Sequence, residues 1–167
     1  MKIIMAHPTG NANVRAAAKG FVQAQILSGF YTSIATFDGD LLDKLSSFSP
    51  LSELKRRRFD TALKDVTHTW PWKETGRLLA TKAGYRSLIK HESGTFSVDA
   101  VYHSIDKYVA ARLKLKLEAG VSSVYGYEDG AAEMFRAAKE LGLKCFYDLP
   151  IGYWKTARRM LKVEQEK

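Results

Sequence analysis

Acidic side chains follow two predicted strands of this 167-residue chain, at the point where each strand ends. Glu128 and Asp129 come directly after an apolar run that ends at Tyr127, and Asp148 closes the next such run. Carboxylates in a cleft can accept hydrogen bonds from sugar hydroxyls or act as a general base. The alternative role of the first pair is to stabilise the helix that follows, and that of Asp148 is to form a turn.

A polar loop follows the first predicted strand. His7 begins it, and Gly10, Asn11 and Asn13 lead into a predicted helix. Free N–H groups at a helix start attract anions or hydroxyls, so we predict ligand contacts here, with a simple small-residue turn as the equal alternative. The loop lacks the glycine spacing of a dinucleotide site and the Lys–Ser/Thr of a phosphate-binding loop. A lone histidine in this position is more often structural than catalytic.

The spacing of hydrophobic residues predicts the strands and helices that must position these residues. Apolar and β-branched runs predict strands, and three- and four-residue spacing predicts helices between them. The predicted strands are residues 2–6, 31–37, 121–127 and 143–148, and the helices that separate them include 14–27, closed by Gly29, and 130–141. Parallel strands end at one edge of a sheet, so we predict that His7, Gly10, Glu128 and Asp148 share that edge.

The middle and the end of the chain are less regular. We predict short helices over 41–59 broken at Pro50, a short strand over 66–72, and helices over 75–90, 99–118 and 152–167. Helices that alternate with strands indicate an α/β fold. The predicted architecture is a Rossmann-like, doubly wound parallel sheet flanked by helices, formed by one domain over residues 1–167.

Composition excludes several classes of protein. A single cysteine, Cys145, cannot form an internal disulfide or a zinc cluster, and it favours a reducing, cytoplasmic location. No run approaches the ~20 apolar residues of a membrane span, and the N-terminus does not resemble a signal peptide. We find no nucleic-acid module, no Gly-x-Ser-x-Gly elbow of a serine hydrolase and no metal-ligand spacing. The sequence therefore predicts no metal, no cofactor and no nucleic-acid partner.

The net charge of +8 favours a partner that carries phosphate or an anionic surface. Basic residues concentrate in Lys55–Arg56–Arg57–Arg58 and near the end of the chain, in Lys155, Arg158, Arg159 and Lys162. Apolar residues flank the first run, which suits contact with an anionic headgroup layer. A solvated helix face is the alternative. A peripheral position at the inner membrane surface is thus compatible with the predicted cytoplasmic location.

Four stretches of the chain resemble the N-terminal half of group 1 glycosyltransferases, the retaining family 4 enzymes with the GT-B fold. They are Ile3–Asn11, Val98–Tyr102, Tyr125–Ala131 and Tyr147–Trp154. The resemblance implies one half of a GT-B architecture, the half that chiefly binds the acceptor. It also implies transfer of a sugar from a nucleotide-sugar, the donor substrate, to a sugar or lipid-linked acceptor.

The resemblance assigns roles residue by residue. Gly10, Asn11 and Asn13 match the family loop that approaches the donor phosphate and the acceptor. Glu128 and Asp129 stand where many relatives place a histidine, so no catalytic residue is assigned. The donor-binding half has no counterpart in these residues. We therefore expect the chain to be inactive alone and to work with a donor-binding domain or to self-associate.

A different class of function remains open, namely a basic interaction module that binds an anionic membrane or a partner domain. An enzyme half should leave Glu128, Asp129 and the Gly10 loop open. An interaction module could bury them and expose basic helices instead.

Overall fold

The computed structural model describes residues 1–40, 43, 55–149 and 154–165. In this part of the chain the strands are β1 (Ile3–Ala6), β2 (Leu27–Thr32), β3 (Thr67–Thr69), β4 (Ser123–Tyr127) and β5 (Lys144–Asp148). The α-helices are α1 (Ala12–Gln23), α2 (Trp72–Lys82), α3 (Val98–Ala110), α4 (Leu113–Glu118), α5 (Ala132–Glu140) and α6 (Trp154–Gln165). Short 3-10 helices cover Thr61–Val66 and Arg86–Ile89.

The five strands form one parallel sheet in the order β3-β2-β1-β4-β5. Ala6 pairs with Tyr31 on one side and with Gly126 on the other, and Tyr127 pairs with Asp148. From β1 the chain extends the sheet in one direction through β2 to β3, and it then returns to the other side of β1 to add β4 and β5. The strand order therefore reverses between β1 and β4, and this position is the switch point of the sheet. This order confirms the predicted Rossmann-like α/β fold. Open parallel sheets bind ligands in the crevice beyond the carboxyl ends of the strands at the switch point, which here are the ends of β1 and β4.

Helices cover both faces of the sheet, and each face has its own core. Side chains alternate between faces along a strand, so Ile4 and Val124 point to one side and Ile3 and Met5 to the other. The first core is completed from α3, α4 and α5, by residues that include Val109, Leu113 and Met134. The second is completed from α1 and the 3-10 turn before β3, by Val14, Ala18 and Leu63.

The end of the first helix differs from the prediction. The helix stops at Gln23 and β2 begins at Leu27, so Gly29 lies inside a strand and does not close the helix. Gln25 takes the left-handed conformation at φ 56°. The Ile26 N–H donates to the Phe21 carbonyl and the Gln25 N–H to the Val22 carbonyl. These bonds form a Schellman ending, for which glycine is the usual residue.

Two other predicted helices are interrupted. The predicted helix over 99–118 is two helices that meet at Ala111 and Arg112. The predicted helix over 75–90 stops after Lys82, where Gly84 has a φ of 75°. Most of the predicted helical region over 41–59 lies outside the described residues. The predicted final helix is present as α6.

Candidate functional site

His7 organises the loop that follows β1. Its Nδ1 accepts hydrogen bonds from the N–H groups of Thr9, at 3.1 Å, and Gly10, at 2.9 Å. The ring is only 5% exposed and meets the rings of Tyr127 and Tyr102 edge-on, with centroids 5.2 and 5.7 Å away. The N–H groups of Thr9 and Gly10, which could have bound a ligand, are therefore already hydrogen-bonded within the protein.

The environment keeps His7 neutral. Burial, and next the positive charge of Arg57, lower the pKa of His7 from 6.5 to about 4. Because Nδ1 accepts two hydrogen bonds, the ring proton resides on Nε2. His7 lies at the predicted edge of the sheet, but its contacts are those of a residue that shapes a turn.

The rest of the first loop divides into a buried and an exposed part. Gly10 is buried with a φ of 60°, and a Cβ there would come within 2.5 Å of the Phe59 ring. Asn11 caps α1, since its side-chain oxygen accepts from the Val14 N–H at 3.0 Å. Asn11 and Asn13 are both exposed. Of the three predicted binding residues in this loop, the two asparagines are accessible to a ligand.

The predicted acids lie at the same edge of the sheet as His7. Asp129 is exposed with a φ of 67°, and Glu128 is half-buried. Asp148, at the end of β5, accepts a hydrogen bond of 2.7 Å from the Tyr125 hydroxyl. Burial, and next this bond, raise the pKa of Tyr125 to about 12. The predicted placement of His7, Gly10, Glu128 and Asp148 at one edge is confirmed.

An acid that the sequence prediction missed caps α5. Asp106, on α3, is buried, and its two carboxylate oxygens accept from the N–H groups of Glu133 and Met134, each at 2.8 Å. Neither Glu128 nor Asp129 makes these bonds. The start of α5 therefore already carries a negative charge, which opposes binding of a phosphate there. The signal for this role in the sequence was that Asp106 is an acid next to Ile105, which lies with Val109 in the apolar stripe of the helix.

Tyr102, also on α3, fills the gap between the β1 and β4 loops. A Cβ on Gly130 would come within 3.0 Å of its ring. Its hydroxyl interacts with the Thr9 side chain, and burial raises the pKa of Tyr102. The centre of the switch point is thus closed, and open space remains on either side of it.

The two open spaces differ in charge. A cleft of about 590 Å³, the basic cleft, opens beside Thr9. Its lining residues are Thr9, Arg56, Arg57, Arg77, Leu78, Thr81 and Lys82. A pocket of about 360 Å³, the β4–β5 pocket, opens at the ends of those strands. Asp129, His103 and Tyr147 contribute polar groups to its lining.

Glu74 fixes two of the three arginines that line the basic cleft, Arg57 and Arg77. Its carboxylate is 1% exposed, and it accepts from Arg77 Nε at 2.7 Å and Arg77 Nη2 at 2.8 Å. Arg57 also donates to Glu74, and its other terminal nitrogen donates to the Thr9 carbonyl at 3.2 Å. Arg57 is therefore largely buried and tied to the first loop. The sequence prediction had placed this residue on a membrane-facing or solvated surface.

Among the described residues, no group of three or more histidine, cysteine, aspartate or glutamate side chains could hold a metal ion. No helix within those ranges is long and apolar enough to span a bilayer. No family model, curated protein or solved structure matches this chain.

Proposed function

We propose that this chain is the acceptor-binding half of a retaining glycosyltransferase. The carrying observation is that two cavities of different charge flank the switch point, one beside Thr9 and one beside Asp129. The exposed cations Arg56 and Lys82 of the basic cleft suit the phosphates of a nucleotide-sugar, and carboxylates such as Asp129 suit sugar hydroxyls. A second Rossmann-like domain would hold the donor from the opposite side.

The residues have distinct parts in this proposal. Asn11 and Asn13 contact ligand at the exposed end of the first loop. Glu128 and Asp129 orient the acceptor, while His7 shapes the loop from beneath. Asp148 acts through its bond to Tyr125. No catalytic residue and no cofactor is assigned, and the nucleotide-sugar is a substrate.

The test is ligand binding followed by amide NMR of the full chain. We expect UDP-glucose, GDP-mannose or simple saccharides to shift the amides of residues 9–13 and 128–130. Asp129→Asn removes the charge but tolerates the left-handed backbone, so it should weaken saccharide binding at least fivefold. Glu92→Gln is the matched control, because Glu92 is also an exposed acid with positive φ, at 59°.

Two results would contradict the proposal. One is the absence of shifts at both loops with every sugar and nucleotide-sugar tested. The other is an equal effect of Asp129→Asn and Glu92→Gln, which would mean that general charge and not this edge governs binding.

One observation favours the second candidate, a module that binds an anionic membrane. On α6 the cations Lys155, Arg158, Arg159 and Lys162 line one shallow hollow. Met160 and Leu161 of the same helix are 63% and 65% exposed. A helix with a basic face and exposed apolar residues can lie in a headgroup layer.

Vesicle sedimentation separates the two candidates. If the second holds, the chain binds phosphatidylglycerol vesicles but not phosphatidylcholine vesicles, and Arg159→Gln weakens binding severalfold. Equal sedimentation with both lipids would rule it out. Neither lipid result depends on Asp129, so the two candidates are tested independently.

A further inference from the structure

A third cavity opens along α3, and His103 lines both this cavity and the β4–β5 pocket. This groove of about 530 Å³, the aromatic groove, follows α3 where it passes the start of α2 and the end of β3. Its main lining residues are Trp70, Lys73, His103, Lys107, Tyr108 and Arg112. The volume falls within the ~300–1,000 Å³ of small-molecule sites.

The aromatic part of the groove is rigid. The Trp70 indole stacks on the Tyr108 ring, with centroids 4.3 Å apart and planes at 20°. The Arg112 guanidinium lies 3.5 Å from the centre of the Tyr108 ring. Trp70 also donates from Nε1 to Ser104 Oγ at 3.0 Å. These contacts hold one indole in a fixed orientation at the groove, which reduces the ordering cost of binding.

The charge of the groove is positive. Lys73, Lys107 and Arg112 line it together with His103, and no acid does so within the part of the chain that the structure describes. None of the three cations forms an ion pair with a described acid. The nearby acids are used elsewhere, since Asp106 caps α5. The groove thus offers cations to a ligand from outside.

A neighbouring histidine responds to the same charges. The pKa of His68 is lowered, first by its burial and next by Lys116 and Arg112. The Lys116 Nζ atom lies 3.5 Å from His68 Nε2. Positive charge therefore continues from the groove along the side of the domain.

We propose that the aromatic groove binds an anionic saccharide, a sugar ring that carries a carboxylate, sulfate or phosphate group. This rests on the proposed function, because it names the acceptor class of that transferase half. An indole face packs well against the C–H face of a sugar ring, and Lys107 and Arg112 can bond the anionic group. A single nucleic-acid strand fits less well, because Trp70 and Tyr108 stack on each other and not on successive bases.

The direct test is titration of the full chain with defined saccharides, followed by tryptophan fluorescence and by the Trp70 indole N–H resonance. The probes are a glucuronate-containing disaccharide, its sulfated form, glucose 6-phosphate, neutral cellobiose and inorganic phosphate. We expect at least one anionic sugar to bind at least tenfold more tightly than cellobiose. The three anionic probes show which acidic group is preferred.

Matched variants connect binding to the groove. Lys107→Gln should weaken binding of the anionic sugar at least fivefold. Lys114→Gln, an exposed lysine on α4 outside the groove, should change it less than twofold. Trp70→Phe identifies the indole resonance and should also weaken binding.

Several outcomes overturn the proposal. These are equal affinity for cellobiose and the anionic sugars, full competition by equimolar inorganic phosphate, or equal effects of Lys107→Gln and Lys114→Gln. Binding of an anionic sugar without any contact at residues 9–13 or 128–130 would support the groove and count against the transferase. Shifts at residues 9–13 and 128–130 with neutral saccharides, without tighter binding of any anionic sugar, would support the transferase half and count against the groove.

Discussion

His7 holds its loop through an acceptor nitrogen, and this makes the stability of the fold dependent on pH. The folded-state pKa is about 4, below the ordinary 6.5. The contribution of the neutral ring is therefore fully present above pH 6.5 and is lost as the pH falls from 6.5 through 4. A depression of this size corresponds to about 3 kcal/mol.

His7→Asn should remove most of this pH dependence, because its side-chain oxygen can still accept from the loop but does not titrate in this range. Between pH 7 and pH 4.5 the wild-type free energy of unfolding should fall by about 2–3 kcal/mol more than that of the variant. Urea unfolding at both pH values measures the difference. His68 titrates in both proteins, so its contribution cancels when the two pH dependences are compared. Parallel pH profiles for the two proteins would contradict the assignment.

Gly10 combines two constraints that a matched pair of variants can separate. Gly10 and Gly39 both have positive φ, of 60° and 80°, but only Gly10 lies against another residue, Phe59. Gly39→Ala should cost about 1–2 kcal/mol from backbone strain alone. Gly10→Ala should cost at least about 2 kcal/mol more, because its methyl overlaps the Phe59 ring. Equal urea midpoints for the two variants would show that the loop moves away freely.

At the scale of elements, Asp106 joins α3 to the start of α5. Asp106→Ala would leave the Glu133 and Met134 N–H groups without their charged acceptor, and it should lower the free energy of unfolding by about 3 kcal/mol. Asp65→Ala, at an exposed acid of the 3-10 turn before β3, should change it by less than about 0.5 kcal/mol. Thermal unfolding by circular dichroism compares them. A similar loss for both variants would contradict the capping role.

The sequence predicted the elements whose signal is local. β1, β4, α5 and β5 were located because apolar runs and helical spacing are visible within a few residues. The end of α1 was misplaced because Gln25 adopts the left-handed conformation that is usually assigned to glycine. Asp106 and Glu133 are 27 residues apart along the chain, and Glu74 and Arg57 are 17 residues apart, so no spacing rule links either pair. The edge of the candidate site was thus predictable, but the groups that shape it were not.

At the scale of the whole molecule, a net charge of +8 opposes contact between copies. The exposed apolar residues of α6 favour such contact, and salt shifts the balance towards it by screening the charge. We expect the average mass in solution to rise above 18.7 kDa between 0.05 and 0.5 M salt. Binding to anionic vesicles should change in the opposite direction, because salt weakens it.

Leu161→Ser should keep the chain monomeric at 0.5 M salt in sedimentation equilibrium. Leu79→Ser on α2 is the matched control, since Leu79 is 63% exposed and Leu161 is 65% exposed. An unchanged mass of the wild type across this salt range would exclude association through α6. An equal effect of the two variants would show that any exposed leucine suffices.

The bonds from Asp106 to α5 also bear on how the protein can move. The loop of Asp129 and Gly130 leads directly into α5, and Tyr102 of α3 packs against Gly130. A displacement of this loop must therefore carry α3 with it or break the bonds of a buried carboxylate. The two helices should open as one cooperative unit, in which the Glu133 and Met134 amides exchange hydrogen at the same rate as the interior of α3. A ligand that reorders the β4 loop would then shift a rigid pair of helices, and protection from exchange would change along both.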